Sequence, residues 1–428
     1  MCGILCTLNT ISIKDFISKL KLLQHRGQNS FGYCYFQNNK PTIVKEKGLI
    51  KDYTIQTNTT HSIFLGHTRY VTSGKKTNTI EMPLLCNHKK FGEFVFVFNG
   101  NIDLKNYNYE VDSLLIKEFL ENCSENSFED ILIKLMVSFN RAYSLIIYHQ
   151  NIIYCLRDRY GVRPLMYRNE DNEFIISSEL SEKCVDVKCG EIIKIENKIV
   201  TTIYNYPTKN NSQCLFEYIY FMNKNTKWNS ISVESIREAY GAKLAESESK
   251  NIINNRDNYI VIGIPNSGIP SAKKYAEVLN IKYMQLITKN KDINRTFILN
   301  NDKERIETAH QKYIFNNAIK QQNIIIFDDS IVRGITMEIL ISKLNEFGAN
   351  EIHVRIASPQ IKYTCELGID IPTKGELLMN TYNSIDKANH YLGSNSLKFI
   401  ELDKIKEVMS NYNSLCTGCF NNDYKLDW

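Results

Sequence analysis

Apolar residues recur at helical spacing between positions 13 and 23, where Phe16, Ile17, Leu20 and Leu23 share one face. The segment 64–69, FLGHTR, then reads as a short strand delivering His67, Thr68 and Arg69 into a turn. FVFVF at 94–98 reads as a second strand, ending at Asn99-Gly100. Further on, an apolar run at 259–264 opens into PNSGIPSAKKYAE, a small-residue loop followed by a helix. The run 324–327 stops abruptly at Asp328 and Asp329. A loop with Ser330, Arg333 and Gly334 follows, then a helical pattern with Ile339, Leu340, Leu344 and Phe347 on one face. Apolar runs that each lead into a loop and a helix predict buried parallel strands in an α/β architecture.

In open α/β sheets, ligands sit at the carboxyl ends of the strands. The following helix N-terminus offers free N–H groups and a positive dipole end to a phosphate. Asp328 and Asp329 suit the vicinal hydroxyls of a ribose, or a Mg²⁺ held with Ser267. The two loops together predict a sugar-phosphate site. At the other end of the chain, Cys2 follows the initiator Met. Removing Met1 would leave a thiol and an α-amine on one residue, and an amine of pKa near ~8 can take the thiol proton.

The 428 residues suffice for two domains. A net charge of +5 with 23% charged residues, scattered, gives no nucleic-acid footprint. No apolar run approaches ~18 residues, so no membrane span is expected. No signal-like N-terminus is evident, and a cytoplasmic location follows as the expectation. Twelve cysteines in that context argue for reduced thiols, metal binding or catalysis. Cys416 and Cys419 form a C-x-x-C that fits zinc, iron–sulfur or redox chemistry, and spacing alone does not pick two further ligands.

FDDSIVRGIT at 327–336 resembles the phosphoribosyl pyrophosphate (PRPP) signature of type I phosphoribosyltransferases, in the version of the glutamine PRPP amidotransferase family. C-G-I, L-Q-H-R-G-Q, G-H-T-R-Y and F-N-G-N-I in the first ~200 residues resemble, in order and spacing, that family's N-terminal-nucleophile glutaminase domain. The resemblance implies an αββα glutaminase sandwich over 2–205, then a transferase domain over 206–428 with a parallel sheet flanked by helices. It implies Cys2 as nucleophile, Asn99 and Gly100 as oxyanion hole, and Arg69, Asp112 and Arg26 at the glutamine. PRPP falls to Ser267, Gly268, Asp328, Asp329, Ser330, Arg333, Gly334 and Thr336, with Lys312 as the basic contact of a lid over the site. RDRYGVRPL (157–165) and S-S-E-L (177–180) continue the likeness as supporting structure, as does RTFI (295–298). One branch of the family carries a [4Fe–4S] cluster, and its ligand contexts fall on Cys214, Cys365, Cys416 and Cys419. Mg²⁺, homo-oligomers and feedback by purine nucleotides are further implications, as is a protected passage for ammonia between the domains.

The chain departs from the family pattern at Asn266, where Asp is common, at Ile335, where Thr is common, and at Asn316 and Asn317, where a basic residue is usual. Arg141 stands where Gly is usual, a position expected to face solvent. Asn266 and Ile335 motivate an alternative in which ammonia goes to a different activated sugar or acid. A non-catalytic PRPP sensor is a third possibility, disfavoured by the intact Cys2, Arg69, Asn99 and Gly100.

Overall fold

A computed structural model describes residues 1–70, 80–105, 107–170, 173–208, 210–290, 311–371 and 373–426. RTFI and most of the expected lid lie outside the described residues. The first part is a sandwich of two antiparallel sheets, one of seven strands and one of six. In the first sheet, Gly3–Thr7 lies between Phe64–Arg69 and Glu173–Ser177. In the second, Gly92–Asn101 lies between Leu84–His88 and Ala142–His149. Ile4, Cys6, Cys34 and Leu65 of one sheet meet Val95, Val97, Ile146 and Ile153 of the other in a closed inner layer.

Helix Ile13–Lys21 covers the outer face of the first sheet, with Phe16 and Leu20 seated over Gly66. Ser12 caps it by accepting from Asp15 N. Helices Asp112–Asn122 and Phe128–Ser138 cover the outer face of the second sheet. The order is therefore helix, sheet, sheet, helix. It explains why FVFVF carries no polar position: both faces of Gly92–Asn101 are covered, whereas the edge strand Leu84–His88 alternates buried and exposed residues. Asn99-Gly100 lies inside that strand, registered on Ser144 and Tyr143.

The second part holds a five-stranded, all-parallel sheet with Asn323–Asp328 at its centre. Ile324, Ile325, Ile326 and Phe327 are fully buried; each contributes roughly 1.5–3 kcal/mol relative to exposure. Helices Val233–Glu246 and Gly268–Leu279 pack so closely that a Cβ on Gly241 would meet the Ser271 carbonyl oxygen at 2.0 Å.

Between the two parts, the last sandwich strand ends at Asn205. The chain returns as Gln213–Cys214, paired in parallel with Leu415–Cys416 from the far end of the sequence. A π-helical turn, Glu217–Phe221, follows, an element the sequence pattern does not predict. RDRYGVRPL forms a buried turn. Asp158 accepts from Tyr160 N at 3.0 Å and Val162 N at 3.2 Å, and Arg157 donates to the carbonyls of Arg163, Gly161 and Val187 at 2.7–2.8 Å. Arg141 does not simply face solvent as expected: its Nη2 pairs with Asp103 Oδ2 at 3.0 Å. Among the described residues, no helix is long and apolar enough to cross a membrane.

Candidate functional site

Cys2 immediately precedes strand Gly3–Thr7, which lies at the mouth of the sandwich. Its backbone N–H donates to Asn99 Oδ1 at 3.0 Å, and its thiol approaches the Tyr70 carbonyl at 3.7 Å. Burial opposes ionisation of the thiol, but His67, the chain's α-amine and Arg69 outweigh it, and the pKa is lowered to about 6. The Met1 amine is itself buried and lowered to about 5.

Around the thiol, two buried nitrogens lack a hydrogen-bond partner among the described residues, Arg69 Nε and Asn99 Nδ2, while the His67 ring hydrogen-bonds the thiol itself. His67 Nε2 meets the Phe98 carbonyl at 3.1 Å, and Arg69 Nη1 donates to the Ile80 carbonyl. Unpaired polar atoms in such a place are costly in a folded protein unless a ligand engages them. Asn99 Nδ2 can serve an oxyanion and Arg69 a carboxylate. Gly100 follows Asn99 in the same strand. Asp112 opens its helix and accepts from Ile102 N at 3.3 Å and Ser113 N at 2.9 Å. Burial dominates there and raises its pKa to about 7, with the nearby Cys2 also raising it.

Arg26 is a correction. It is not available to glutamine, because its guanidinium is buried and fully engaged. Nε donates to the Cys2 carbonyl at 3.0 Å, and Nη1 and Nη2 donate to Glu217 at 3.0 and 2.7 Å. Nη1 also pairs with Glu179, which further meets His25 Nε2 at 3.0 Å and accepts from Asn223 N at 2.8 Å and Thr226 Oγ1 at 2.9 Å. Gly27 lets this turn reach the Arg69 strand: a Cβ there would lie 2.4–2.5 Å from the backbone of Thr68 and Arg69. Sequence reasoning missed Glu217 and the role of Glu179, because single acids distant in sequence carry no local signal.

The second cluster forms at the ends of neighbouring parallel strands. Ser267 precedes helix Gly268–Leu279 and donates to Asp329 Oδ2 at 2.5 Å; Ser330 Oγ donates to Asp329 Oδ1 at 2.6 Å. Gly268 sits against the Phe327 carbonyl, where a Cβ would come within 2.7 Å. Burial and the neighbouring Asp329 push Asp328 well above the usual carboxylate range. Lys312 is pushed down by burial while facing both acids, and Lys289, unassigned from sequence, behaves likewise beside it. Gly334, at φ +91°, turns the chain into helix Ile335–Glu346, leaving Ile335 and Thr336 exposed at its first turn. Arg333 pairs with Glu376 at 3.1 Å and is partly exposed.

The third cluster joins the chain's parts. Cys214 and Cys416 face each other in strand register, and Cys419 lies in the short helix after Cys416. Cys365 accepts from Leu367 N at 3.3 Å and Ile369 N at 3.4 Å. Burial raises all four thiols, and Cys419 senses the other three. Among the described residues, no three Cys, His, Asp or Glu side chains close on a single metal ion. A four-iron cluster takes one thiolate at each corner, so its ligands need not converge on a point. Four buried thiols within one another's electrostatic reach, with backbone N–H donors to the Cys365 sulfur, suit such a group.

Family comparison divides the chain in the same sense. Residues 45–239 match a glutamine amidotransferase domain family, and residues 228–359 match a phosphoribosyl transferase domain family. An amidophosphoribosyltransferase of Pyrococcus horikoshii is 30% identical over 451 residues, covering 99% of this chain and 96% of that protein. The rat amidophosphoribosyltransferase is 29% identical, covering 95% and 92%. The solved structure of a glutamine PRPP amidotransferase from B. subtilis, complexed with ADP and GMP, superposes with a TM-score of 0.86 at 25% identity. It covers 100% of this chain and 98% of that one.

Proposed function

The chain belongs to the amidophosphoribosyltransferase family, and from that premise we infer how its two sites share the first committed step of purine synthesis: glutamine, PRPP and water give 5-phosphoribosylamine, glutamate and pyrophosphate. The observation that carries the residue assignment is the pair of unpartnered donors, Arg69 Nε and Asn99 Nδ2, beside a thiol lowered to about 6.

After removal of Met1, the freed amine of Cys2 accepts the thiol proton. Arg69 takes the glutamine carboxylate and Asp112 its ammonium. The thiolate attacks the amide carbon while Asn99 Nδ2 and the Gly100 N–H receive the oxyanion. The Cys2 ammonium returns its proton to the amide nitrogen, ammonia leaves as the glutamyl thioester forms, and water then releases glutamate. Tyr70, whose carbonyl meets the Cys2 thiol and whose hydroxyl donates to Asp370 Oδ2 at 3.1 Å, links the two parts of the chain on the side where ammonia would pass.

At the second site, Asp328 and Asp329 hold the ribose hydroxyls, and the loop from Ser330 to Thr336 holds the 5′-phosphate on its backbone N–H groups. Lys312 and Lys289 face the same charges. Mg²⁺, for which Ser267, Asp328 and Asp329 are the suited oxygens, would offset charge on the departing pyrophosphate. Positioning and electrostatics then carry the attack of ammonia on C1.

Cys214, Cys365, Cys416 and Cys419 are the proposed ligands of a [4Fe–4S] cluster. It would pin the C-terminal segment to the start of the transferase domain, which we place at residue 206. Iron and acid-labile sulfide content of anaerobically purified protein tests this. Purine nucleotides are the proposed feedback ligands, by likeness to the B. subtilis structure bound to ADP and GMP. A cytoplasmic homo-oligomer completes the reading.

Glutamate and pyrophosphate release, measured anaerobically with and without PRPP and Mg²⁺, is the deciding experiment. Equimolar release that rises with PRPP supports the reading. Glutamate release indifferent to PRPP, with no pyrophosphate, would shift the second domain to another acceptor, the alternative that Asn266 and Ile335 raise.

A further inference from the structure

Arg163 closes the RDRYGVRPL turn of the first domain and is 1% exposed. Its backbone carbonyl takes Arg157 Nε, and its Nη2 donates to the Leu367 carbonyl of the second domain. Nε and Nη1 are also buried and have no hydrogen-bond partner among the described residues. A guanidinium with two unpaired buried donors is costly unless an acceptor stands before it. The cysteine centre adjoins it: its acceptor Leu367 lies two residues after Cys365, and Val162, the residue before Arg163, pairs with Cys214. The backbone binds it to the same place. Cys214 N donates to the Val162 carbonyl at 3.3 Å, and Leu367 N donates to Cys365 Sγ at 3.3 Å. Gly368 lies so close that a Cβ there would meet Arg163 Nη2 at 3.0 Å. A neutral interdomain strut would need only the bond to Leu367.

We propose that Arg163 is an outer-sphere donor to the four-cysteine centre, giving N–H groups and a positive charge to the cluster sulfurs from the glutaminase side of the seam. This rests on the cluster assignment above. A cationic donor beside an anionic iron–sulfur group favours the reduced state and hinders loss of the cluster, since hydrogen bonds to sulfur and local charge set its potential.

The test uses full-length protein purified anaerobically. In wild type carrying ¹⁵N-guanidino arginine, pulsed paramagnetic resonance of the reduced cluster should show a ¹⁵N coupling and exchangeable-proton couplings. Arg163→Gln and Arg163→Lys, at equal iron and sulfide content, should be harder to reduce. The expected change for Arg163→Gln is about tenfold in the reduced-to-oxidised ratio at fixed potential, equivalent to about 59 mV for one electron. Both should also lose iron faster in air. A loaded wild-type cluster without ¹⁵N coupling overturns the Arg163 inference and leaves the cluster standing. Failure of any cluster to assemble overturns both. The isotope measurement needs no variant, so a misfolded substitution does not leave the question open.

Discussion

At the thiol end, the reactive residue is held by groups scattered from position 26 to position 217: Asn99 at its amide, Tyr70 at its sulfur, and Arg26 at its carbonyl with Glu217 behind. At the phosphate end, Asp328 to Thr336 is one uninterrupted strand, loop and helix start, supplemented by Ser267 one unit earlier. The electrostatics differ as well. Arg26 answers two buried carboxylates, and the sulfur's pKa falls because cationic neighbours outweigh burial. Asp328 goes up and Lys312 and Lys289 go down, because burial dominates each. Around the sulfur the protein itself supplies the balancing charges, with only Asp112 held up by burial, whereas the second site has charges that a cation and a phosphate would rebalance. One site is a preset nucleophile; the other is shaped to acquire its charge state with its substrate.

The largest effect separates the two outright. Cys2→Ala should abolish glutamine-dependent synthesis and glutamate release, while synthesis from added ammonia persists. Loss of the ammonia-dependent rate in a folded variant would refute the two-site division. Next comes the link between the sites. Glu217→Ala removes the bidentate partner of Arg26, and breaking a buried ion pair costs about 3–5 kcal/mol. Chemical denaturation should register that loss, and glutamate release should fall more than ammonia-dependent synthesis, because Arg26 holds the Cys2 carbonyl. Equal losses in both rates would show Glu217 acting on the fold alone.

Asp328→Asn should weaken Mg²⁺-dependent PRPP binding by roughly 1.5–3 kcal/mol, the range for hydrogen bonds to charged groups. That is on the order of tenfold to a hundredfold, readable by calorimetry. An unchanged affinity would move the ribose contacts to other residues.

The pH dependence belongs to the first site. The reactive form of Cys2 is the thiolate, so its alkylation rate should climb with pH through about 6 and level off above it. Asp112 must be ionised to take the glutamine ammonium, so KM for glutamine should fall as pH rises through about 7. The combined change between pH 6 and 8 should stay within roughly tenfold to a hundredfold, from the two ionised fractions. A flat alkylation profile above pH 5 would contradict the balance of charges around the sulfur.

The contrast between the sites also decides what the sequence could tell. FDDSIVRGIT is legible because all its physics is local: an apolar run, two acids, a left-handed Gly334 and a helix start. Asn99 and Arg69 were legible only by resemblance, since one lies inside an ordinary strand and the other ends one, and each becomes special when the sandwich closes. Arg26 illustrates the limit. A buried guanidinium facing a carbonyl and two acids looks, in one dimension, the same as one facing a substrate carboxylate. Lys289, Glu217 and Arg163 had no signal, because their meaning comes from what tertiary packing sets before them. The αββα order likewise came from family likeness, because FVFVF reads in the sequence only as a strand and the cover on both its faces comes from the fold.

Ile335 offers the smallest and sharpest test of the second site. It occupies the first turn of the helix that follows the Asp328 loop, 38% exposed, with no hydroxyl to offer where the family commonly has Thr. The backbone N–H groups of that turn remain able to hold a phosphate, so the departure removes one side-chain contact and leaves the cradle. Restoring it by Ile335→Thr should add one hydrogen bond of about 0.5–1.5 kcal/mol. The KM for PRPP should therefore fall by roughly two- to tenfold, with glutamate release in the absence of PRPP unchanged. A KM that rises instead would mean the loop has adapted to an apolar neighbour at this position, and would favour a phosphosugar other than PRPP.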